Sequence, residues 1–265
     1  MTTENETYLN SLSEDILTLN ISGKCKGIKS LPDLTRFKNL KTLNCYSNKL
    51  TSLPTLPQNL QKIICERNEL TSLPTLPQKL KILNCYNNQL TLLPTLPQNL
   101  EELYCSNNKL TSLPTLPQNL EYLYCSNNQL TLLPTLPQNL EYLYCSNNQL
   151  TLLPTLPQNL DKLSCSNNQL TLLPTLPQNL EILYCSNNPI YEIVNNDSLI
   201  TIKQNIQTLN NFRHLYYCLK FKKQLRKWLW EKVREPNAKK LYNPIYLIEN
   251  LGQDDDLDEV LKNWK

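Results

Sequence analysis

Glycine is almost missing from this chain. Only Gly23, Gly27 and Gly252 occur in 265 residues. No phosphate-cradling loop can be built from three dispersed glycines, which excludes P-loop and Rossmann-type nucleotide sites. Histidine is rarer still, with His214 alone. A His-based metal centre or a Ser/His/Asp triad has too little to work with. No cofactor, metal or catalytic residue is expected, and the chain reads as a non-enzyme. Long apolar runs are also lacking, so no segment is expected to span a membrane. The first residues, MTTENETYLNSLSED, carry no basic n-region and no apolar h-region, so secretion through a signal peptide is not expected. The compartment expected by default is the cytoplasm or the nucleus, with the cytoplasm taken first, and there the ten cysteines should be thiols rather than disulfides.

Strong charge of one sign is absent overall, the net charge being +3. The balance is uneven, however. Residues 196–265 hold 13 Lys/Arg against 9 Asp/Glu, a net of +4, and the remainder holds 13 against 14, a net of −1. The basic character belongs to the tail.

What the chain has in abundance is a repeat. LPTLPQNL begins at residues 53, 93, 113, 133, 153 and 173, and LPTLPQKL begins at 73, a period of 20 residues. Each unit contains the spacing Leu120-x-x-Leu123-x-Cys125-x-x-Asn128-x-Leu130. That is the leucine-rich consensus with cysteine in its third apolar slot. Eight units carry the signature, from Asn48 to Asn188. A weaker ninth precedes them, with Leu19, Ile21 and Ile28 in the apolar slots. Its link, Leu31 to Leu40, is two residues longer than Leu53 to Leu60.

Each slot has a physical reason. Alternation at Leu123, Tyr124 and Cys125 sends the first and third side chains inward and the middle one outward, as a strand demands. The asparagine is placed to satisfy backbone groups where the chain turns out of the strand. Pro114 and Pro117 lie three apart on the return limb, which rules against a helix there and favours extended or polyproline-II backbone. The expected fold is therefore a leucine-rich-repeat solenoid. It has a curved parallel β-sheet on its concave side, an extended convex side and a helical C-terminal cap. Its expected divisions are an N-terminal flank over 1–16, a solenoid of about nine coils over 17–194 and a helical region over 195–265. One coil cannot cover its own apolar side chains. Burial, worth roughly 1.5–3 kcal/mol per large side chain, is realised only when coils stack, so the ends need caps.

The LPxLPxxLxxLxxxxNxL unit resembles the short leucine-rich repeats of effectors from enteric bacterial pathogens. The uniform CSNNQL coils and the tail KKQLRKWLWEKVREPNAKKLYNPIYLIENL resemble the leucine-rich-repeat proteins of giant DNA viruses of the mimivirus group. That resemblance implies a viral protein acting in host-cell cytoplasm by binding other proteins. The bacterial family also includes ubiquitin ligases with a catalytic Cys-x-Asp motif. Here Cys218 is followed two positions on by Lys220, and the tail is too short for that domain. An F-box adaptor is likewise unsupported, since only about 16 residues precede the first repeat.

In the tail, Asp197 or Ser198 is placed to cap a helix. Ile202, Ile206, Leu209, Phe212, Tyr216 and Leu219 recur at helical spacing. Further helices are expected from Asn243-Pro244 and over Asp254 to Trp264.

Three features bear on function. Cys45, Cys65, Cys85, Cys105, Cys125, Cys145, Cys165 and Cys185 share one inward slot. A row of thiols does not converge as a tetrahedral metal site requires, so the column reads as small buried hydrophobes. Cys25 is out of register with it. On the outward strand face lie Tyr46, Tyr86, Tyr104, Tyr122, Tyr124, Tyr142, Tyr144 and Tyr184, five of them clustered on three adjacent coils. Tyrosine combines large area, few rotors and a polar tip, which suits recognition of a protein partner. The competing reading is cross-strand stacking that only supports the sheet. Lastly, Arg213 to Lys240 holds ten Lys/Arg with Trp228 and Trp230 interleaved. That segment suits either the solvated face of a cap or contact with nucleic acid or an anionic membrane. The chain is expected to be a monomer.

Overall fold

The computed structural model describes residues 11–22, 27–191 and 198–220. Nine three-residue strands recur along the chain. They are β1 (Thr18–Asn20), β2 (Thr42–Asn44), β3 (Lys62–Ile64), β4 (Ile82–Asn84), β5 (Glu102–Tyr104), β6 (Tyr122–Tyr124), β7 (Tyr142–Tyr144), β8 (Lys162–Ser164) and β9 (Ile182–Tyr184). All pair in parallel and in sequence order within one sheet. This is the expected leucine-rich-repeat solenoid. The weak first coil is a true rung, since Thr18 lies opposite Thr42 and Leu19 opposite Leu43. Its pitch of 24 residues, against 20 thereafter, takes in the two extra residues of the link and two more between Leu19 and Leu31.

The core is a set of leucine columns. Leu43, Leu83, Leu103, Leu123, Leu143 and Leu163 on the strands are fully buried, as are Leu60, Leu80, Leu100, Leu120, Leu140 and Leu160 just before them. Ile21 fills the cysteine slot of the first coil. Its N–H donates to Asn44 O at 2.9 Å, as that of Cys45 donates to Ile64 O at 2.8 Å. Cys25 lies outside the described residues. The return limbs contain no helix. Each closes in a tight turn, as where Leu120 N donates to Pro117 O at 3.2 Å, so the proline that blocks a helix supplies the carbonyl of the turn.

The two asparagines of each coil do different work. The second forms the expected ladder. Asn128 Nδ2 donates to Cys105 O (3.1 Å), Cys125 O (3.1 Å) and Ser126 O (3.3 Å), and its Oδ1 accepts from Leu110 N at 3.0 Å. The first, at Asn87, Asn107, Asn127, Asn147, Asn167 and Asn187, holds a left-handed backbone with φ of 53–57°. Asparagine tolerates that conformation better than most residues. Ser47 and Arg67 adopt it at the same position of the two preceding coils.

Among the described residues after the last coil lies the helix α1 (Leu199–Lys220). Ser198 caps it, its Oγ accepting from Thr201 N at 3.2 Å. Ile206 is buried, and Leu199 and Ile202 pack against the core. Lys203 Nζ donates to the carbonyls of Gln178 (2.8 Å) and Leu180 (2.9 Å). The expected stripe is only partly right, because Leu209 is exposed. Leu199, outside the expected stripe, packs against the core as well. The chain forms two compact units, Met1–Thr208 and Leu209–Lys265. The side chains of Phe212, Tyr216 and Cys218, the basic run beyond Lys220 and the helices expected at Asn243-Pro244 and Asp254–Trp264 lie outside the described residues.

Candidate functional site

The outward face of the strands is built by the same alternation that builds the core. On each strand the central residue is buried while its two neighbours are half-exposed, a pattern kept from β2 to β8. Because the rungs are in register, side chains twenty residues apart stand side by side. Tyr104 and Tyr124 stack with centroids 4.7 Å apart and planes 20° from parallel. Tyr124 and Tyr144 stack at 4.6 Å and 6°. In the neighbouring column Tyr122 and Tyr142 meet edge to face at 4.9 Å and 75°. The five tyrosines expected to cluster are thus assembled into two adjoining columns on β5, β6 and β7.

The other three candidates stand apart from that group. Tyr46 lies under the Arg67 guanidinium, 5.7 Å from ring centroid to Cζ, and its hydroxyl accepts from Arg67 at 3.0 Å. Tyr86 accepts from Asn107 Nδ2 at 2.9 Å. Tyr184 is exposed, and the Ser164 rung separates it from Tyr144.

Polar groups frame the columns. Tyr104 donates its hydroxyl to Glu102 Oε2 at 2.9 Å, and Tyr122 donates to Glu141 Oε2 at 3.3 Å. Lys162 Nζ sits 4.7 Å from the centroid of the Tyr142 ring. Burial, seconded by the bond to Glu102, raises the phenol of Tyr104 above its ordinary range. Burial and then the neighbouring Tyr144 do the same to Tyr124. Glu121 is also raised, by desolvation first and then by the carboxylates of Glu141 and Glu101.

A further column had a signal in the sequence that the motif reading passed over. The position just before each strand reads Lys41, Gln61, Lys81, Glu101, Glu121, Glu141, Asp161 and Glu181. Its backbone is stacked as regularly as the strands, with Glu121 N donating to Glu101 O and Glu141 N to Glu121 O, both at 2.9 Å. Its change of sign falls at the ion pair of Lys81 Nζ with Glu101 Oε1, 2.7 Å apart.

On the inner side, the eight cysteines of the column are free and buried. Two of their S–H groups donate to carbonyls, Cys45 to Ile64 O at 3.5 Å and Cys65 to Asn84 O at 3.4 Å. Burial pushes the thiols of Cys45 and Cys85 up to about 12 and raises the remaining six as well. Thiols held protonated are poor nucleophiles and poor ligands. Among the described residues no group of three or more His, Cys, Asp or Glu side chains is placed to hold a metal ion. No described helix is long and apolar enough to cross a membrane.

Comparison with known proteins agrees with this architecture. The family described as Leucine Rich repeats (2 copies) matches residues 98–138 and 118–158, and a single Leucine Rich Repeat matches residues 39–60. No curated protein matches the chain. Among solved structures, YopM from Yersinia enterocolitica WA-314 is similar at 41% identity and a TM-score of 0.64, over 68% of this chain and 39% of that one. A Shigella effector LRR domain is similar at 31% identity and a TM-score of 0.51, over 62% of this chain and 73% of that one. The functional domain of InlJ from Listeria monocytogenes, described as including a cysteine ladder, is similar at 31% identity and a TM-score of 0.58, over 72% of this chain and 42% of that one. The chain thus spans well under half the length of the YopM chain it resembles. Parallel rungs in register, an asparagine on every turn and likeness to most of the length of an effector repeat domain converge: the chain belongs to the leucine-rich-repeat family, with bacterial effector repeats among its structural neighbours.

Proposed function

We propose that the chain is a non-enzymatic recognition module that binds a partner protein on its outward strand face, centred on Tyr104, Tyr124 and Tyr144 with Tyr122 and Tyr142 beside them. Leucine-rich-repeat proteins commonly bind protein partners. The observation that carries the reading is the stacked tyrosine column itself. Stacking holds the rings in place before any partner arrives, so little side-chain entropy is lost on binding.

The repeat supplies its own control against a purely structural role. The slot of Tyr104, Tyr124 and Tyr144 is taken by Asn44, Ile64, Asn84 and Ser164 on other rungs of the same sheet. The strand keeps its geometry with any of them, so the sheet does not require tyrosine there. Tyr46, Tyr86 and Tyr184 extend the surface at lower density. The module is residues 17–194, with 195–265 as its helical cap, and it acts as a monomer. Uniform CSNNQL coils and the tail sequence support an origin in a giant DNA virus, with action in host cytoplasm.

The test is a pull-down from host-type cells, read by mass spectrometry, with the full chain and with the Tyr104→Ala/Tyr124→Ala/Tyr144→Ala variant as baits. Titration of the purified partner follows. Binding should weaken at least tenfold, about 1.4 kcal/mol. Unchanged affinity in a folded triple variant would sink the strand-face reading.

A further inference from the structure

The described coils are electrically polarised along the repeat. Residues 41–100 hold six Lys/Arg and two Asp/Glu, 6 − 2 = +4, and residues 101–190 hold two against six, 2 − 6 = −4. The negative half is the half that carries the tyrosine columns. Its carboxylates are not scattered. Glu101, Glu121, Glu141, Asp161 and Glu181 occupy one position on five successive coils, and their backbones are hydrogen-bonded rung to rung at 2.8–2.9 Å. With rungs about 4.8 Å apart the row runs for about 19 Å.

This row borders the aromatic columns directly, as the hydrogen bond from Tyr122 to Glu141 shows. Carboxylates stacked at such spacing repel one another. Among the described residues only Lys81, at one end, forms an ion pair with the row. The fold also contains a small demonstration of what the face accepts. The ammonium of Lys162 rests 4.7 Å over the Tyr142 ring, an arrangement of aromatic face and cation that is favourable in its own right.

We propose that the β5–β9 half of the strand face docks an extended protein segment rich in arginine and lysine. The segment lies across the strands with its cationic side chains between the tyrosine columns and the carboxylate row. This deepens the reading of the strand face as a protein-binding surface and rests on it. The length of the row matches about six extended residues. Guanidinium groups suit both halves of the surface, since they pair with carboxylates through paired N–H donors and stack on aromatic faces. Nucleic acid is disfavoured on this face, because its phosphates would meet the carboxylates.

The experiment is selection of a random peptide library on the full chain, followed by titration of the selected peptides. Sequences enriched in arginine and lysine are expected. Their affinity should fall by at least about fivefold on the Glu121→Gln/Glu141→Gln variant. It should stay within about twofold on Glu14→Gln/Glu69→Gln, which removes the same charge from exposed positions elsewhere. Equal losses on both variants would mean diffuse attraction only and would overturn the proposal. Selection of acidic or uncharged peptides, or of none, would overturn it too. If uncharged peptides emerge and still lose binding on the triple tyrosine variant, the strand face survives and only the basic chemistry fails. If selected peptides bind both the tyrosine and the carboxylate variants as tightly as the parent, the strand face fails as well.

Discussion

Tyr124 and Tyr144, twenty residues apart in the chain, lie ring on ring with centroids 4.6 Å apart and planes only 6° from parallel. The pair exists because β6 and β7 are in register, Tyr124 opposite Tyr144. A stacked pair contributes about 0.5–1.5 kcal/mol beyond its area, little beside the leucine columns beneath. The triple tyrosine variant used to test binding should therefore keep its fold and lose only a few degrees in Tm. That separation of binding from stability is what calorimetry on the variant checks. A collapse of the fold would assign the column a structural role.

The asparagine ladder should dominate local stability. Asn128→Ala strands the buried Leu110 N–H and removes one of two donors from each of three carbonyls, since Cys105 O keeps Asn108 Nδ2, Cys125 O keeps Asn148 Nδ2 and Ser126 O keeps Asn107 N. With one buried group left unsatisfied, a loss of about 1–3 kcal/mol is expected. Asn48 offers an internal comparison. Its buried Oδ1 has no partner among the described residues. The longer first coil does not deliver the N–H that Leu110 delivers to Asn128. Asn48→Ala should therefore cost about 1 kcal/mol less. Urea denaturation of both variants measures the difference, and equal losses would refute the account of the ladder.

Alkaline pH should unfold the protein steeply. The sign follows from the thiols of the column, which burial raises above the ordinary 9.0. Above that pH the unfolded chain loses thiol protons that the folded chain keeps. Stability therefore falls as pH rises, by about 1.4 kcal/mol per pH unit for each thiol. For Cys45 and Cys85 the window runs from 9.0 to about 12. Below 9.0 the effect is absent. Replacing Cys125 and Cys145 with alanine should make the pH dependence shallower even though it lowers stability at neutral pH. A denaturation midpoint that stays flat to about pH 11 would contradict the burial of the column.

The last coil should depend on the start of α1. Ile206 is 2% exposed, and Lys203 holds two carbonyls of the ninth coil. Ile206→Ala should cost about 2–4 kcal/mol. Truncation after Val194 removes Lys203 and Ile206 from the ninth coil and leaves an open sheet edge. Such a chain should self-associate. Light scattering reads this directly, and a truncated chain that stays monomeric with the parent Tm would show that α1 is not a cap.

Much of this was legible in the sequence because each coil obeys one local rule. The twenty-residue period set strand positions, in-register parallel pairing, the inward cysteine slot and the asparagine ladder. The paired prolines ruled out a helix on the return limb. Translation by one rung makes every column predictable from any single coil. Tertiary structure decided what depends on neighbours rather than on the rule. Whether two rings stack or meet edge to face, which hydroxyl finds Glu102 or Glu141, and which cation settles on Tyr142 are choices of rotamer made against side chains on the next coil. The orphaned oxygen of Asn48 follows from the irregular first pitch. A periodic pattern fixes the backbone because hydrogen bonds and leucine burial repeat identically. It leaves open the outward side chains and the two ends, where the neighbours differ.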